Sequence, residues 1–261
     1  MKLALQGSTG RMGQSVTRLA VAAGDVTIVG AVCAPDDPLL GRDVGEIAGI
    51  GTLGVVADAD VGAGLLGAEV VIDFSVALAL PALVGAAARA GVAVVSGTTG
   101  LGADGERALD AAAERVPVLW APNMSLGVQV LAEAVKLALA RLGAGYDAEI
   151  VEVHHRQKVD APSGTALRLA RAVNEARGEL RQVAGRSGQV GARGDGELGI
   201  FAVRGGDVIG DHTVHLLGMG ERLELTHRAT SRDLFAHGAL RAARFVCGRA
   251  PGRYTLADVL G

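Results

Sequence analysis

Lys2-Leu3-Ala4-Leu5-Gln6-Gly7-Ser8-Thr9-Gly10-Arg11-Met12-Gly13 is the stretch whose reading decides the fold. Residues 2–5 are a short apolar strand, and residues 14–23 read as a helix with Val16, Leu19, Ala20 and Ala23 on one face. Between them lies a glycine-rich turn. Its glycines let the backbone approach a pyrophosphate closely, and the helix start supplies N–H groups and the positive end of the helix dipole. A tight turn that only packs helix on strand would use the same glycines. The G-x-x-G-x-x-G spacing alone is weak evidence, and the strand–turn–helix context strengthens it. Gly7, Ser8, Thr9, Gly10, Arg11, Met12 and Gly13 are therefore candidate cofactor contacts.

Downstream, apolar runs alternate with helical patterns. Residues 26–33 read as a second strand, at whose end a dinucleotide site calls for an acid to hold the ribose hydroxyls. The residue there is Ala34, and Asp36 and Asp37 follow in a proline-flanked turn. These aspartates either reach the ribose or only shape the turn. Residues 45–63 read as a glycine-rich, short-stranded region centred on Val55 and Val56. Residues 68–74, 92–95 and 118–120 are strands, and residues 77–90 and 103–115 are helices, with Pro81 near a first turn where proline is tolerated. This order implies a doubly wound parallel sheet. Gly97, Thr98 and Thr99, and Ala121, Pro122, Asn123 and Met124, fall at carboxyl ends of strands, where such sheets bind ligands. They are candidate walls of a nicotinamide pocket, or ordinary strand-to-helix connections.

After a helix over residues 126–142 and a strand over 148–153 comes the polar run Glu152-Val153-His154-His155-Arg156-Gln157-Lys158-Val159-Asp160-Ala161-Pro162-Ser163-Gly164-Thr165-Ala166. It leads into a helix over residues 165–176. Pro162 and Ser163 stand where helices start, so the free N–H groups of the first turn can hold an anion. The chain uses arginine almost wherever it needs a base. Lys2, Lys136 and Lys158 are its only lysines, and the last sits beside the paired histidines. A proton donor, a cation and an anion-binding helix start together point to a small carboxylate substrate. Adjacent strand residues face opposite ways, so His154 and His155 share a pocket only if the strand ends there.

Residues 181–197 read as a long polar loop with Arg186, Arg193 and Asp195. Residues 198–204, 208–217 and 223–229 read as three strands in a meander. This breaks the parallel rhythm and gives a second, α+β domain with a mixed or antiparallel sheet. Residues 231–247 are helical, and the last residues form a docked tail that returns to the first domain. The expected division is residues 1–124 completed by 232–261 for dinucleotide binding, and 125–231 for substrate binding and oligomerisation.

The 261 residues are half hydrophobic but poor in aromatics, and carry a net charge of −3. Nothing drives such a chain toward nucleic acid. No run is long and apolar enough to span a bilayer. Cys33 and Cys247 are too few and too scattered for a disulfide framework or a metal site, and a reduced cytoplasmic protein without a bound metal is expected.

Taken together, Gly7-x-x-Gly10-Arg11-Met12-Gly13, Asp73-Phe74-Ser75, Gly97-Thr98-Thr99-Gly100, Ala121-Pro122-Asn123-Met124-Ser125-Leu126-Gly127 and the run from Glu152 to Ala166 resemble the 4-hydroxy-tetrahydrodipicolinate reductase family. Arg204-Gly205-Gly206-Asp207 and Thr226-His227-Arg228-Ala229 extend the resemblance over essentially the whole chain. It implies NADH or NADPH as cofactor and a cyclic dicarboxylate as substrate, in the diaminopimelate route to lysine. It also implies a homotetramer assembled through the second domain's sheet. It puts the proton donor on His154, with Lys158 acting beside it. Substrate contacts fall on His155, Ser163, Gly164 and Thr165. Two positions depart from the pattern. Ala34 leaves open the choice between NADH and NADPH, although Arg11 could meet a 2′-phosphate. Val76 stands where some relatives carry a base.

Overall fold

The computed structural model describes residues 1–261, which divide into two compact units. One comprises Met1–Ser125 with Asp233–Gly261, the other Leu126–Arg232. In chain order the first stretch contains β1 (Lys2–Gln6), α1 (Arg11–Ala23), β2 (Thr27–Val32), α2 (Val44–Ile47), α3 (Val61–Gly64) and β3 (Val70–Asp73). It continues with α4 (Leu80–Ala90), β4 (Ala93–Ser96), α5 (Ala103–Ala113) and β5 (Pro117–Trp120). The second unit holds α6 (Leu126–Leu142), β6 (Asp147–His154), α7 (Gly164–Arg177), β7 (Arg181–Val183), β8 (Glu197–Arg204), β9 (Gly210–Gly218) and β10 (Glu221–Ala229). The chain closes with α8 (Asp233–Val246), β11 (Gly252–Tyr254) and α9 (Leu256–Leu260).

The first unit is built on a parallel sheet in the order β11-β5-β4-β3-β1-β2. Every residue of β3 and β4 is buried, because helices cover both faces and strands so placed must be apolar on both sides. Leu80 and Leu83 of α4 and Leu109 of α5 pack on Val71, Val94 and Val118. α1 and α8 pack against each other, and α8 also lies on β3, β4 and β5. Strand order reverses between β1 and β3, the switch point at which open sheets of this kind bind ligands.

The second unit is a mixed sheet in the order β10-β9-β6-β8-β7. One face carries Ala148, Ile150, Leu198, Ile200, Val214 and Leu216, packed against Leu131, Val135 and Leu139 of α6 and Leu169 and Val173 of α7. Full burial of Ile150, Leu169, Leu198 and Leu216 stabilises this core by about 1.5–3 kcal/mol per side chain. Alternation turns the neighbouring residues to the other face, where Val151, Val153 and Phe201 are partly exposed and Val203 is 48% exposed.

Three expectations need correction. Residues 45–63 hold no strand: Asp43 and Asp60 cap two short helices by accepting from the N–H groups of Gly45 and Glu46, and of Gly62 and Ala63. Only isolated bridges, Val32 to Asp58 and Asp43 to Val56, are strand-like there. The polar stretch after α7 is not loop throughout, since β7 pairs in parallel with β8. The three strands after it form no meander, because β6 lies between β8 and β9, parallel to one and antiparallel to the other. Gly205, Gly206 and Asp207 carry the chain around the end of β6, and the left-handed φ of +54° at Gly206 makes that bend. The bend is tied to β6 by bonds from Gly205 N to His154 O at 3.0 Å and from His155 N to Val208 O at 2.7 Å.

Candidate active site

In the first unit the glycine turn lies at the switch point. Gly7 and Ser8 N–H groups donate to Val32 O at 2.9 and 3.0 Å, which pins the turn to the end of β2. A Cβ on Gly7, whose φ is +75°, would come within 2.7 Å of Phe74 O. One on Gly13 would lie 2.4 Å from the carbonyl oxygens of both Gly7 and Ser8. These are cradles that only glycine leaves open. No side chain caps α1, whose N-cap is Gly10, so the first-turn N–H groups of Arg11 and Met12 are left for a ligand. Arg11 itself is exposed. Beside the turn is a cavity of about 380 Å³ lined by Gln6, Gly10, Ala34, Asp37, Phe74 and Ser75, among others. Gln6 Oε1 is buried there without a partner, an acceptor left for a donor on a ligand. Asp37 turns back toward the glycine turn, accepting from Thr9 Oγ1 at 2.6 Å and from Leu39 N at 2.8 Å.

The other loops lie at the carboxyl ends of β4 and β5. Thr98 is buried, Gly97 half-buried and Thr99 exposed. Trp120 Nε1 donates to Thr98 O at 2.8 Å, and Ala121 N to Ser96 O at 3.0 Å, joining the two loops. Ala121 and Met124 are buried, Pro122 is exposed, and Asn123 accepts from Ser125 N at 2.8 Å. A glycine cradle, an uncapped helix and an orphaned acceptor beside a cavity of about 380 Å³ together fit a dinucleotide.

In the second unit, β6 ends at His154, the condition under which His154 and the half-buried His155 can share a pocket. His154 is buried on the helix-covered side. Its Nδ1 bonds to the carboxylate of Glu152, two residues earlier on the same face. Glu152 is fully buried. It also accepts from both terminal nitrogens of Arg204, each at 2.8 Å, and from Ser163 N at 3.0 Å. Burial pushes the Glu152 carboxyl up, but Arg204, His154 and the Ser163 amide outweigh it and hold it below the usual carboxylate range. Burial likewise drives His154 down. Glu152 opposes this, Lys158 and Arg204 reinforce it, and the net shift is downward. In the free protein His154 is therefore neutral at pH 7. With Nδ1 facing Glu152, its Nε2 faces Gly210, where a Cβ would approach to 2.9 Å.

Ser163 caps α7, accepting from Ala166 N at 3.1 Å. Its hydroxyl is also 3.0 Å from His212 Nε2. His212 is buried and its ring meets that of His154 edge-on at 5.0 Å. Burial chiefly, with the nearby His154, pushes His212 down to about 4, so it stays neutral. Gly164 is exposed and opens α7, with Thr165 next to it. Pro162 precedes the cap. Lys158 Nζ donates to Asp160 Oδ1 at 2.7 Å. His155 Nε2 lies 3.4 Å from Arg232 Nη2.

His154, Ser163 and the α7 start therefore adjoin one another, and Lys158 acts on His154 electrostatically. Glu152 and Arg204 stand in the family motifs of the sequence, but sequence reasoning gave no role to them or to Gly210 and His212. Strand register brings them in, since His154 pairs with Arg204 and Glu152 with His212.

A doubly wound sheet with a glycine turn at its switch point, and a second unit presenting a buried histidine and cations beside a helix start, define a two-unit nicotinamide-dependent oxidoreductase. Residues 1–124 match the family model for the N-terminus of dihydrodipicolinate reductase, and residues 127–260 match the model for its C-terminus. The chain belongs to the dihydrodipicolinate reductase family. It is 48% identical over 266 residues to the 4-hydroxy-tetrahydrodipicolinate reductase of Myxococcus xanthus, covering 100% of this chain and 98% of that protein. With the enzyme of the same name from Methanopyrus kandleri it shares 48% identity over 259 residues, 97% of this chain and 94% of that one. The solved structure of dipicolinate-bound dihydrodipicolinate reductase from Paenisporosarcina sp. TG-14 has the same fold. Its TM-score is 0.80 at 23% identity, over 99% of this chain and 98% of that chain.

Proposed function

We infer that this chain reduces 4-hydroxy-tetrahydrodipicolinate to tetrahydrodipicolinate with loss of water, in the diaminopimelate route to lysine, taking hydride from a reduced nicotinamide nucleotide and a proton from His154. The first unit holds the cofactor through residues 7–13, Gly97, Thr98, Thr99 and Ala121, Pro122, Asn123 and Met124. The second unit holds the dicarboxylate. When bound, the nucleotide supplies the hydride, and the protein supplies the proton and the charge balance.

The observation that carries this reading is the environment of His154. Glu152 fixes its Nδ1, so Nε2 is the atom that exchanges a proton with a ligand. A dianion bound beside it opposes the downward pull of burial and of the flanking cations, and so loads His154 with a proton only when substrate is present. Lys158, His155 and the first-turn N–H groups of Gly164 and Thr165 hold the carboxylates, with Ser163 fixing the start of that turn.

NADH is the preferred nucleotide. The cavity beside the glycine turn is lined by a single charged residue, Asp37, and by no lysine or arginine that could meet a 2′-phosphate. Asp37, rather than Asp36, takes the ribose. The uncovered face of the five-stranded sheet, with Val151, Val153, Phe201 and Val203, supports assembly as a homotetramer through the second unit. No helix is long and apolar enough to cross a membrane. Both cysteines are free, which suits a cytoplasmic enzyme.

The test follows nucleotide absorbance with freshly generated substrate for wild type and His154→Gln. Wild type is expected to oxidise NADH with a higher kcat/KM than NADPH. The variant should lose on the order of 10²–10⁴ in kcat while binding NADH normally. No oxidation by wild type would sink the reductase reading, and an unimpaired variant would sink the donor assignment.

A further inference from the structure

Asp73 ends β3 and is fully buried. Its Oδ1 accepts from Ser75 N at 2.9 Å and Ser75 Oγ at 2.6 Å. Its Oδ2 accepts from Ser96 Oγ at 2.6 Å and Thr98 Oγ1 at 2.7 Å. Ser96 Oγ itself accepts from Thr98 N at 3.2 Å, so its hydroxyl proton is committed to Asp73. Four donors converge on this carboxylate, and none of them is a cation. That pattern satisfies an anion's hydrogen bonds without balancing its charge. Buried charges are ordinarily paired, because desolvation is costly.

Position gives the charge a use. Ser75 also lines the 380 Å³ cavity beside the glycine turn. Thr98 belongs to the loop at the end of β4, and its carbonyl is bonded to Trp120 at the end of β5. Asp73 thus ties together three strand ends on the side where the cofactor is expected. A nicotinamide nucleotide held there would supply a hydride, and its ring, neutral when reduced, would gain positive charge in doing so. A fixed anion nearby stabilises that developing charge without reorganisation.

We propose that Asp73 is a positioning residue for the cofactor: it holds the Ser75 and Gly97–Thr99 loops in place, and its buried negative charge favours the oxidised, cationic nicotinamide over the reduced form. The proposal rests on the cofactor reading of the first unit. Asp73→Asn keeps shape and hydrogen bonding, since a serine or threonine hydroxyl can turn to accept from the new amide.

The test titrates the full-length protein with NADH by fluorescence and with NAD⁺ by calorimetry, for wild type, Asp73→Asn and Thr98→Val. Asp73→Asn is expected to weaken NAD⁺ binding relative to NADH on the order of tenfold, the effect of one nearby charge in a low-dielectric site. Thr98→Val keeps the charge but loosens a loop, and should weaken both forms by the same factor. Equal weakening of both forms, or no change, in Asp73→Asn overturns the proposal. Asp73→Ser, which leaves room for water among the hydroxyls, is the second neutral variant. A chain that folds with neither would make Asp73 a structural requirement and overturn the proposal likewise. Failure of wild type to bind either nucleotide would instead reject the cofactor reading.

Discussion

Replacing Arg204 with methionine removes the main counter-charge of the buried carboxylate around which the His154 region is built. Glu152 would keep one amide, from Ser163, and the His154 imidazole, and would lose both guanidinium bonds of 2.8 Å. Breaking a buried ion pair on one side costs about 3–5 kcal/mol. The Arg204 side chain is 21% exposed, so water replaces part of what is lost, and about 2–3 kcal/mol is expected. For a unit of this size that corresponds to a fall in Tm of roughly 10–20 °C. The sign of the pH dependence follows from the shift. In wild type the Glu152 carboxyl is held low, so its contribution is present above the ordinary carboxylate pKa and lost as pH falls through the folded value. In Arg204→Met burial is left without its chief opponent and the carboxyl shifts up. The penalty is then full at pH 7 and shrinks toward pH 5 as Glu152 takes up a proton. Urea unfolding of wild type, Arg204→Met and Arg204→Met/Glu152→Gln at both pH values measures this. The double variant should recover most of the loss at pH 7. A loss below about 0.5 kcal/mol at pH 7, or one that grows toward pH 5, would refute the reasoning.

Other consequences concern the candidate site residues of each unit. Because kcat/KM reports the free enzyme, its high-pH limb should begin below the ordinary imidazole range, whereas the limb of kcat, which reports the substrate complex, should lie at higher pH; coincident limbs would remove substrate-induced protonation of His154. Gly210→Ala puts a methyl group 2.9 Å from His154 Nε2, and displacing a tethered ring by a fraction of an ångström to 1 Å should lower kcat by about 10–100-fold with little change in unfolding free energy. In Gly13→Ala the new carbon would lie 2.4 Å from two backbone carbonyls, so calorimetry should show NADH affinity falling more than about tenfold, with a stability loss of about 1–3 kcal/mol. Unchanged NADH affinity would show that the turn only packs α1 on β1.

How much was legible in the sequence depended on whether the signal was local. Strands buried on both faces appear as unbroken apolar runs, so β3, β4 and β5 stood out, and with them the parallel sheet. The second unit was harder. β8 and β9 are joined by only a few residues and look like a hairpin, yet that connection rounds the end of β6. Which strand pairs with which is decided by distant residues, and a glycine turn fits either arrangement. Around Val55 and Val56, scattered apolar residues suggested strands, although Asp43 and Asp60 were the stronger signals, as helix caps. The candidate site divides in the same way. His154, Lys158 and Ser163 share one stretch of chain and could be read together. Arg204, Gly210 and His212 reach the same place only through register across β6, which single-residue patterns do not encode.

The return of α8 to the first unit bears on how the chain is made. α8 buries Ala236, Ala239, Leu240, Ala243 and Val246 within that unit, and β11 adds its last parallel strand beside β5. As the chain emerges from the ribosome, the first 125 residues have every central strand but lack this cover. The second unit is one uninterrupted segment and can complete its own core once Arg232 is out. Synthesis and folding thus run in opposite order: the half that is begun first is finished last, and in the interval the apolar face reserved for α8 is exposed to solvent and to chaperones.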